Sequence, residues 1–184
     1  MANEIPLLTE ADYLRGEALA EVKHEYIGGH VYTMVGATDR HGLLIGNLFA
    51  ALHHHLRGGP CQVFASDMKF KLVVAGETIF YYPDILVSCR ADDRERLFRQ
   101  QPCTVIEVLP ESTDRTDRPE KFLAYRSVDS VREYLLVDQE RMALTLFRRE
   151  NAWKPEYLGV EDALALPSIA FAMPVAAVYE GVPL

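Results

Sequence analysis

Cysteine is scarce in this sequence and forms no recognisable metal-binding or redox motif. The 184 residues contain three cysteines, Cys61, Cys89 and Cys103, and no CxxC pair. An odd number of cysteines argues against a disulfide framework. We therefore expect reduced thiols and a location in the reducing cytoplasm.

Long apolar runs are absent as well. No stretch is long and apolar enough to cross a membrane, and residues 1–8 lack the basic and apolar pattern of a signal peptide. We therefore expect no association with a membrane. The sequence also has no P-loop, no GxGxxG and no GxSxG motif, so ATP-driven, nicotinamide-dependent and serine-hydrolase chemistry has no support.

Basic residues are fewer than acidic ones, and the formal net charge is −8. This balance argues against a protein that coats nucleic acid through a broad basic surface. Several arginines lie in the middle of the chain, but a solvated surface explains them equally well. If the substrate is DNA, we expect binding to depend on a local basic face, a metal ion and a homodimer.

The patterns that are present predict one mixed α/β or α+β domain over residues 1–184. A capping box at Thr9 predicts a short helix, and Gly28-Gly29 predicts the turn of an N-terminal hairpin between residues 23 and 34. Apolar residues at helical spacing predict a second helix after Thr38, and Asp117 has the position of a cap for a third. Strand-like runs cover residues 62–74, 79–88, 104–109, 132–138, 143–149 and 152–158. Together they predict a mixed central sheet flanked by helices.

Two carboxylates interrupt the apolar runs. Asp84 follows Pro83 at the head of Ile85-Leu86-Val87, and Glu107 lies inside the run from Thr104 to Leu109. A carboxylate in a buried strand is costly unless it binds a cation or a hydrogen-bond partner. If the two strands pair side by side, the two carboxylates can meet on one face, where a cation would relieve their repulsion.

A divalent metal with oxygen ligands suits these residues. Mg²⁺ or Mn²⁺ prefers carboxylate and carbonyl oxygens, and the carbonyl oxygen of Val108 follows Glu107 in the strand. Lys121 lies near the start of the third helix, from which its ammonium can reach a metal-bound water or a phosphate oxygen. The metal would activate water and neutralise charge at phosphorus, and the lysine would stabilise the pentacovalent state.

Each of these residues also has an ordinary structural explanation. Asp84 can simply begin a strand, Glu107 can pair with an arginine, and Lys121 can be a surface lysine. The sequence leaves two roles possible for His41, a residue of the site or an ordinary histidine in the first turn of a helix. It also leaves two roles for Tyr125, one turn after Lys121, which can support the lysine or be a core aromatic. Asp67 is expected to be an edge-strand charge, with a role in the site as the minority alternative.

At these positions the chain resembles the PD-(D/E)XK nuclease superfamily, and within it the Uma-type branch of restriction endonuclease-like proteins. The motifs that carry the resemblance are His24-Glu25-Tyr26-Ile27-Gly28-Gly29, Thr38-Asp39-Arg40-His41, Tyr82-Pro83-Asp84-Ile85-Leu86-Val87, Val105-Ile106-Glu107-Val108-Leu109-Pro110-Glu111-Ser112-Thr113, Asp117-Arg118-Pro119-Glu120-Lys121, Tyr125 and Val131-Arg132-Glu133-Tyr134-Leu135-Leu136-Val137-Asp138. The usual superfamily lysine lies two residues after the second acid, where this chain has Leu109. The branch supplies it from the following helix. It often has aspartate at the position of Gly28 and tryptophan at that of Leu135.

The resemblance implies a restriction endonuclease-like fold and a Mg²⁺-dependent DNA endonuclease that leaves a 5′-phosphate. It gives Asp84 and Glu107 the metal-ligand roles and Lys121 the role of the catalytic lysine. Glu25 in the hairpin matches an early acid of the branch and would assist, directly at the metal or through water. The alternative, from a different class, is a catalytically silent nuclease fold that binds or assembles with protein partners.

Overall fold

A computed structural model describes residues 7–34, 36–109 and 117–184, without the side chains of Asp117 and Arg118. Its helices are α1 Glu10–Glu17, α2 Asp39–Leu56, α3 Asp117–Ser127 and α4 Val175–Val178. Its strands are β1 His24–Ile27, β2 His30–Thr33, β3 Gln62–Ala65, β4 Lys69–Val74, β5 Glu77–Tyr81, β6 Ile85–Ser88, β7 Phe98–Arg99, β8 Thr104–Val108, β9 Glu133–Val137, β10 Leu144–Arg148, β11 Pro155–Leu158, β12 Ala163–Leu166 and β13 Phe171–Pro174. No helix among these residues is both long and apolar enough to cross a membrane.

The strands form two larger mixed sheets and a small hairpin. The first sheet has the order β2-β1-β5-β4-β7, and the second has the order β11-β10-β9-β8-β6-β3. In each sheet one pair is parallel, β4 with β7 and β8 with β9, and the other pairs are antiparallel. Strands β12 and β13 form the third, two-stranded sheet. The mixed α+β architecture with sheets flanked by helices matches the prediction.

The local signals in the sequence place the first elements correctly. The Thr9 side chain accepts a hydrogen bond from the backbone N–H of Asp12 at 3.2 Å and caps α1. Gly28 and Gly29 both have positive φ, 55° and 99°, as the tight turn between β1 and β2 requires. A Cβ on Gly28 would lie 2.9 Å from the Glu77 carboxylate, so the aspartate common in the branch would require the Glu77 side chain to move.

The run from residue 79 to 88, expected as one strand, is divided between the two sheets. Strand β5 ends at Tyr81 and β6 begins at Ile85, because Pro83 has no N–H for a sheet hydrogen bond. The predicted capping role of the Asp117 side chain, and the motif residues 110–113, lie outside the described part of the chain.

The second sheet is buried on both faces. One face packs against α2 and the C-terminal elements, in a cluster that includes Leu48, Ile106 and Val178. The other face packs against the first sheet and α3, in a cluster that includes Val105, Phe70 and Tyr125. A sheet covered on both sides explains why its strands appear in the sequence as continuous apolar runs.

The expectation of three reduced thiols is wrong. Cys61 and Cys89 form a disulfide across 28 residues of sequence, and the free thiol of Cys103 lies 3.5 Å from the Cys89 sulfur. The antiparallel pairing of β3 with β6 matches Gln62 to Ser88, which brings the cysteines just beyond each strand together. Sequence spacing carries no signal for this pair, because it depends on strand pairing.

Candidate active site

The two strand carboxylates lie on the same face of the second sheet. Strands β6 and β8 are antiparallel neighbours, with Ile85 opposite Ile106, and Asp84 and Glu107 adjoin these two residues. Since side chains alternate along a strand, Asp84 shares the face of Leu86 and Glu107 the face of Val105. Both of these residues belong to the cluster under α3, so both acids point towards α3 and the first sheet.

Asp84 is held by two groups. Its Oδ2 accepts a hydrogen bond from the backbone N–H of Val108 at 2.7 Å, and His41 Nε2 lies 3.3 Å from the same oxygen. Ile106 is the last residue of β8 that pairs with β6, and the backbone N–H of Val108 is the next one along β8 that points towards β6. The Asp84 carboxylate therefore accepts a hydrogen bond from β8 where the backbone pairing of β6 with β8 stops. This bond fixes the side chain just before the first residue of β6.

Lys121 lies between two other acids. Its Nζ is 2.8 Å from Glu25 Oε1 and 3.5 Å from Glu107 Oε1, and the ammonium lies 5.1 Å from the centre of the Tyr81 ring. Burial disfavours the charged form, but the Glu107 and Glu25 carboxylates outweigh it and raise the pKa of Lys121. The lysine is therefore a fixed positive charge rather than a proton acceptor.

Glu25 supports the lysine. Its Oε1 accepts a hydrogen bond from the backbone N–H of Tyr82 at 3.3 Å as well as pairing with Lys121. The contact is made between β1 of the first sheet and the helix α3 that follows the second. Glu25 therefore acts on the position of Lys121 in this arrangement.

The surroundings of Glu107 change its pKa. Burial raises its pKa to about 7, and the charges of Asp84 and Glu25 add to this, against the lowering effects of Lys121 and of a hydrogen bond from Tyr125. The Tyr125 hydroxyl donates that bond to Glu107 Oε1 at 2.8 Å. Burial is therefore the main reason that Glu107 keeps its proton at a mildly acidic pH.

His41 belongs to the site, a role that the sequence left open. It lies in the first turn of α2, where its backbone N–H donates to the capping oxygen of Thr38 at 3.3 Å. Burial lowers its pKa, but contacts with Asp84, Glu107 and the Val108 backbone outweigh burial, and the net shift is upward. Its Nδ1 is buried and has no hydrogen-bond partner within the described part of the chain.

A hydrogen-bonded chain through a buried glutamine links the start of α2 to the end of β8. The Thr38 hydroxyl donates to Gln139 Oε1 at 2.8 Å, and Gln139 Nε2 donates to the carbonyl oxygen of Leu109 at 2.6 Å. Gln139 is 2% exposed. Nothing in the sequence near Gln139 signals this role, since its partners are about 30 and 100 residues away.

Tyr125 and Asp67 are the remaining candidate residues from the sequence. Tyr125 is fully buried and supports Glu107 rather than the lysine. Asp67 lies in the bend between β3 and β4, not in a strand, with its side chain 83% exposed and 2.5 Å from Lys23 Nζ. It borders the site through Lys23 without contacting the central acids.

The site opens into a cleft of about 1140 Å³. Its walls come from the β1–β2 hairpin, the start of α2, the ends of β6 and β8, and the first turns of α3. The central residues are each only partly accessible, between 13% and 17% of their side-chain surface. The cleft thus gives solvent and a ligand access to these charges along one side.

The donor set fits a hard divalent cation. Asp84 and Glu107 offer carboxylate oxygens, and Val108, whose carbonyl the sequence suggested as a ligand, also lines the cleft. A cation bound beside Glu107 would favour the ionised form of this carboxyl, which burial disfavours. In residues 7–34, 36–109 and 117–184, no three His, Cys, Asp or Glu side chains are grouped closely enough to hold an ion alone, so the carbonyl and water would have to complete the shell.

Most of the chain matches a known protein family. The Uma2 family, described as "Putative restriction endonuclease", matches residues 11–176. Two proteins of Synechocystis are similar in sequence. The uncharacterised protein slr1290 is 32% identical over 96% of this chain and 93% of its own length, and the uncharacterised protein sll1609 is 33% identical over 72% and 76%.

A solved structure has the same fold. It is the crystal structure of "a putative nuclease belonging to DUF820" from Anabaena variabilis, which superposes with a TM-score of 0.71 over 88% of this chain and 92% of that one. The sequence identity is 15%, so the likeness establishes the restriction endonuclease-like fold and not the activity.

Proposed function

Since this chain belongs to the Uma2 family, we propose that it is a Mg²⁺-dependent endonuclease that hydrolyses DNA phosphodiester bonds, with Mn²⁺ as a substitute ion. The family and the fold support nuclease function in general. The observation that carries the finer proposal is the convergence of Asp84, Glu107, Lys121 and Glu25 in one cleft. These residues come from β1, β8, α3 and the position before β6, so charged side chains far apart in the sequence meet in this cleft.

Asp84, Glu107 and the carbonyl of Val108 would hold the ion. When bound, Mg²⁺ lowers the pKa of a coordinated water and neutralises charge on a phosphate oxygen. The Val108 N–H holds Asp84 in position at 2.7 Å, and Tyr125 does the same for Glu107 at 2.8 Å. These two hydrogen bonds fix the ligands before an ion arrives, which reduces the cost of binding it.

Lys121 stabilises charge on the phosphate as it passes through the pentacovalent state. Its raised pKa keeps the ammonium charged, and Glu25 holds it at 2.8 Å so that it faces the cleft. A positive charge fixed in a partly buried site stabilises developing negative charge more strongly than one in water. Glu25 is therefore a positioning residue in this scheme.

A plasmid-nicking assay tests the proposal. Wild-type protein in Mg²⁺ or Mn²⁺ is expected to convert supercoiled plasmid to nicked or linear forms, and EDTA should stop it. Asp84→Ala and Lys121→Ala should each reduce the rate by roughly 100-fold or more, the usual effect of removing one preorganised charge-stabilising group. Lys154→Ala is the matched control, because Lys154 is exposed on the segment before β11. Cleavage by Lys121→Ala at the wild-type rate would contradict the proposed mechanism.

The alternative is a catalytically silent nuclease fold that acts through protein partners. The net charge of −8 and the ion pairs of Lys121 with both Glu25 and Glu107 favour it, since they neutralise the lysine from within the protein. This alternative predicts that wild-type protein cleaves neither plasmid nor single-stranded DNA in either metal. Assays with both substrates therefore separate the two functions.

A further inference from the structure

The hairpin β1–β2 presents one face to the cleft. Glu25 of β1 lies directly opposite Tyr32 of β2, and both line the cleft. Cross-strand partners in an antiparallel pair have their side chains on the same face, with Cβ atoms about 5 Å apart. Tyr26 points the other way and is buried with Tyr13 and Phe80. The ring of Tyr32 is therefore the direct cross-strand neighbour of Glu25, the acid that pairs with Lys121.

Folding does not explain the position of Tyr32. Its side chain is 53% exposed, and it has no hydrogen bond or ring contact with any residue that the structure describes. An aromatic ring that is more than half exposed on a cleft wall leaves part of its surface open to a ligand. Every nucleic-acid base offers a flat surface that stacks on such a ring.

A cation shares this face of the hairpin. Lys23 lies two residues before Glu25 and also lines the cleft. Its Nζ donates to the carbonyl oxygen of Ser66 at 3.0 Å and pairs with Asp67, whose side chain is 83% exposed. An ion pair so exposed to water contributes little stability, so the lysine can exchange Asp67 for a phosphate.

The small number of cations in the cleft suits a short segment of DNA with few phosphates better than a long duplex. Among the described lining residues, the carboxylates are Glu21, Glu25, Asp84, Glu107 and Glu120, and the basic side chains besides His41 are Lys23 and Lys121. Duplex-binding proteins typically neutralise several phosphates with lysine and arginine. The bases of a duplex are also stacked on one another, which prevents them from stacking on a tyrosine.

We propose that the cleft binds an unpaired segment of single-stranded DNA, with one base stacked on Tyr32 and a neighbouring phosphate on Lys23. This rests on the proposed function, because the stacked nucleotide would lie next to the phosphate that Lys121 contacts. A cleft of about 1140 Å³ exceeds the roughly 300–1,000 Å³ of ordinary small-molecule pockets and has room for such a segment. Tyr32 and Lys23 are then positioning residues for the substrate.

Fluorescence anisotropy with a labelled single-stranded 20-mer, in EDTA so that nothing is cut, tests the stacking. Tyr32→Ala should weaken binding by roughly 5- to 150-fold, which corresponds to about 1–3 kcal/mol for one stacked base. Tyr32→Phe keeps the ring and should bind within about twofold of wild type on the same principle. Tyr157→Ala is the matched control, because Tyr157 is 77% exposed on β11, outside the cleft.

The salt dependence tests the phosphate contact. Lys23→Ala should reduce the slope of log affinity against log salt by about 0.7, the value for one phosphate of a single strand, and Lys154→Ala should leave it unchanged. Wild-type protein should bind the single strand more tightly than the same sequence as a duplex. The inference is overturned if Tyr32→Ala binds like wild type, if the duplex binds as tightly, or if the single strand does not bind.

The outcomes separate this inference from the proposed function. Tyr32-dependent binding of single-stranded DNA by a protein that cleaves no DNA in Mg²⁺ or Mn²⁺ would remove the nuclease proposal and keep the binding site. Metal-dependent cleavage that Lys121→Ala abolishes and Tyr32→Ala leaves unchanged in both kcat and KM would keep the nuclease and remove the stacking site.

Discussion

Individual residues of the site differ in how they bear charge, and their surroundings explain why. Lys121 stays charged because two carboxylates lie within 3.5 Å of its Nζ. Glu107 is buried beside the carboxylates of Asp84 and Glu25. Burial and these two charges raise its pKa to about 7, although Lys121 lies nearby. Ionisation of Glu107 therefore lowers the free energy of unfolding of the metal-free protein.

This cost predicts a pH-dependent effect of Glu107→Gln. A carboxyl whose pKa rises from 4.5 to about 7 on folding contributes most below pH 4.5, and that contribution is lost as the pH rises through 7. The variant does not ionise, so relative to wild type it should gain on the order of 2–3 kcal/mol in free energy of unfolding between pH 4.5 and 8. Urea unfolding in EDTA at the two pH values measures the gain.

Glu156→Gln is the control with the opposite sign. Partial burial raises the pKa of Glu156, but hydrogen bonds from Arg148 and Asn151 outweigh burial and lower it. Its carboxylate is therefore favoured by folding above its ordinary pKa, and its removal should cost stability at pH 8 rather than add it. If the difference in free energy of unfolding between Glu107→Gln and wild type is the same at pH 4.5 and pH 8, Glu107 ionises normally in the folded protein.

At the scale of secondary-structure elements, the site depends on how α2 begins. The Thr38 cap fixes the first turn that carries His41, and the Thr38 hydroxyl reaches the buried Gln139, which in turn binds the end of β8. One side chain thus sets the helix start relative to the strand that carries Glu107. The cap was predictable from the sequence, but its link to β8 was not.

Thr38→Ala is expected to lower the free energy of unfolding by about 1–3 kcal/mol, the sum of a lost helix cap and a lost hydrogen bond to a buried amide. Thr38→Ser keeps the hydroxyl and should retain most of that stability. Thermal unfolding of the two variants beside wild type measures the difference. Equal midpoints for Thr38→Ala and Thr38→Ser would mean that the hydroxyl does not link the two elements.

The elements that the sequence predicted well are those with local causes. The Thr9 cap, the glycine turn between β1 and β2, and the start of α2 at Asp39 all depend on residues a few positions apart. The break at Pro83 was missed because apolar residues on both sides continue the strand pattern. The Cys61–Cys89 disulfide was missed for a different reason, since it depends on the pairing of β3 with β6.

Across the whole molecule, the cleft combines residues from both large sheets. Glu25 comes from the first sheet, Asp84 and Glu107 border the second, and α3 supplies Lys121. The sequence indicated Asp84, Glu107 and Lys121 through buried-strand carboxylates and a family resemblance. It did not identify Gln139 or Tyr32, because their partners are set by tertiary packing and strand register.

The homodimer stays a prediction, and the two DNA proposals bear on it differently. Cleavage of both strands of a duplex calls for two sites, which a dimer would supply. An unpaired strand bound at Tyr32 needs one cleft alone. The net charge of −8 also keeps the overall field unfavourable to DNA, so affinity must come from contacts inside the cleft.

Titration calorimetry with Mn²⁺ tests the central claim, that Asp84 and Glu107 form a cation site, most directly. Wild-type protein should bind Mn²⁺ at one site, and Asp84→Ala should bind it at least roughly tenfold more weakly, the loss that follows removal of even an outer-shell partner of a metal ligand. Asp92→Ala, which removes an exposed carboxylate paired with Arg90, should bind like wild type. Equal Mn²⁺ affinity for wild type and Asp84→Ala, or no binding by wild type, would contradict the account.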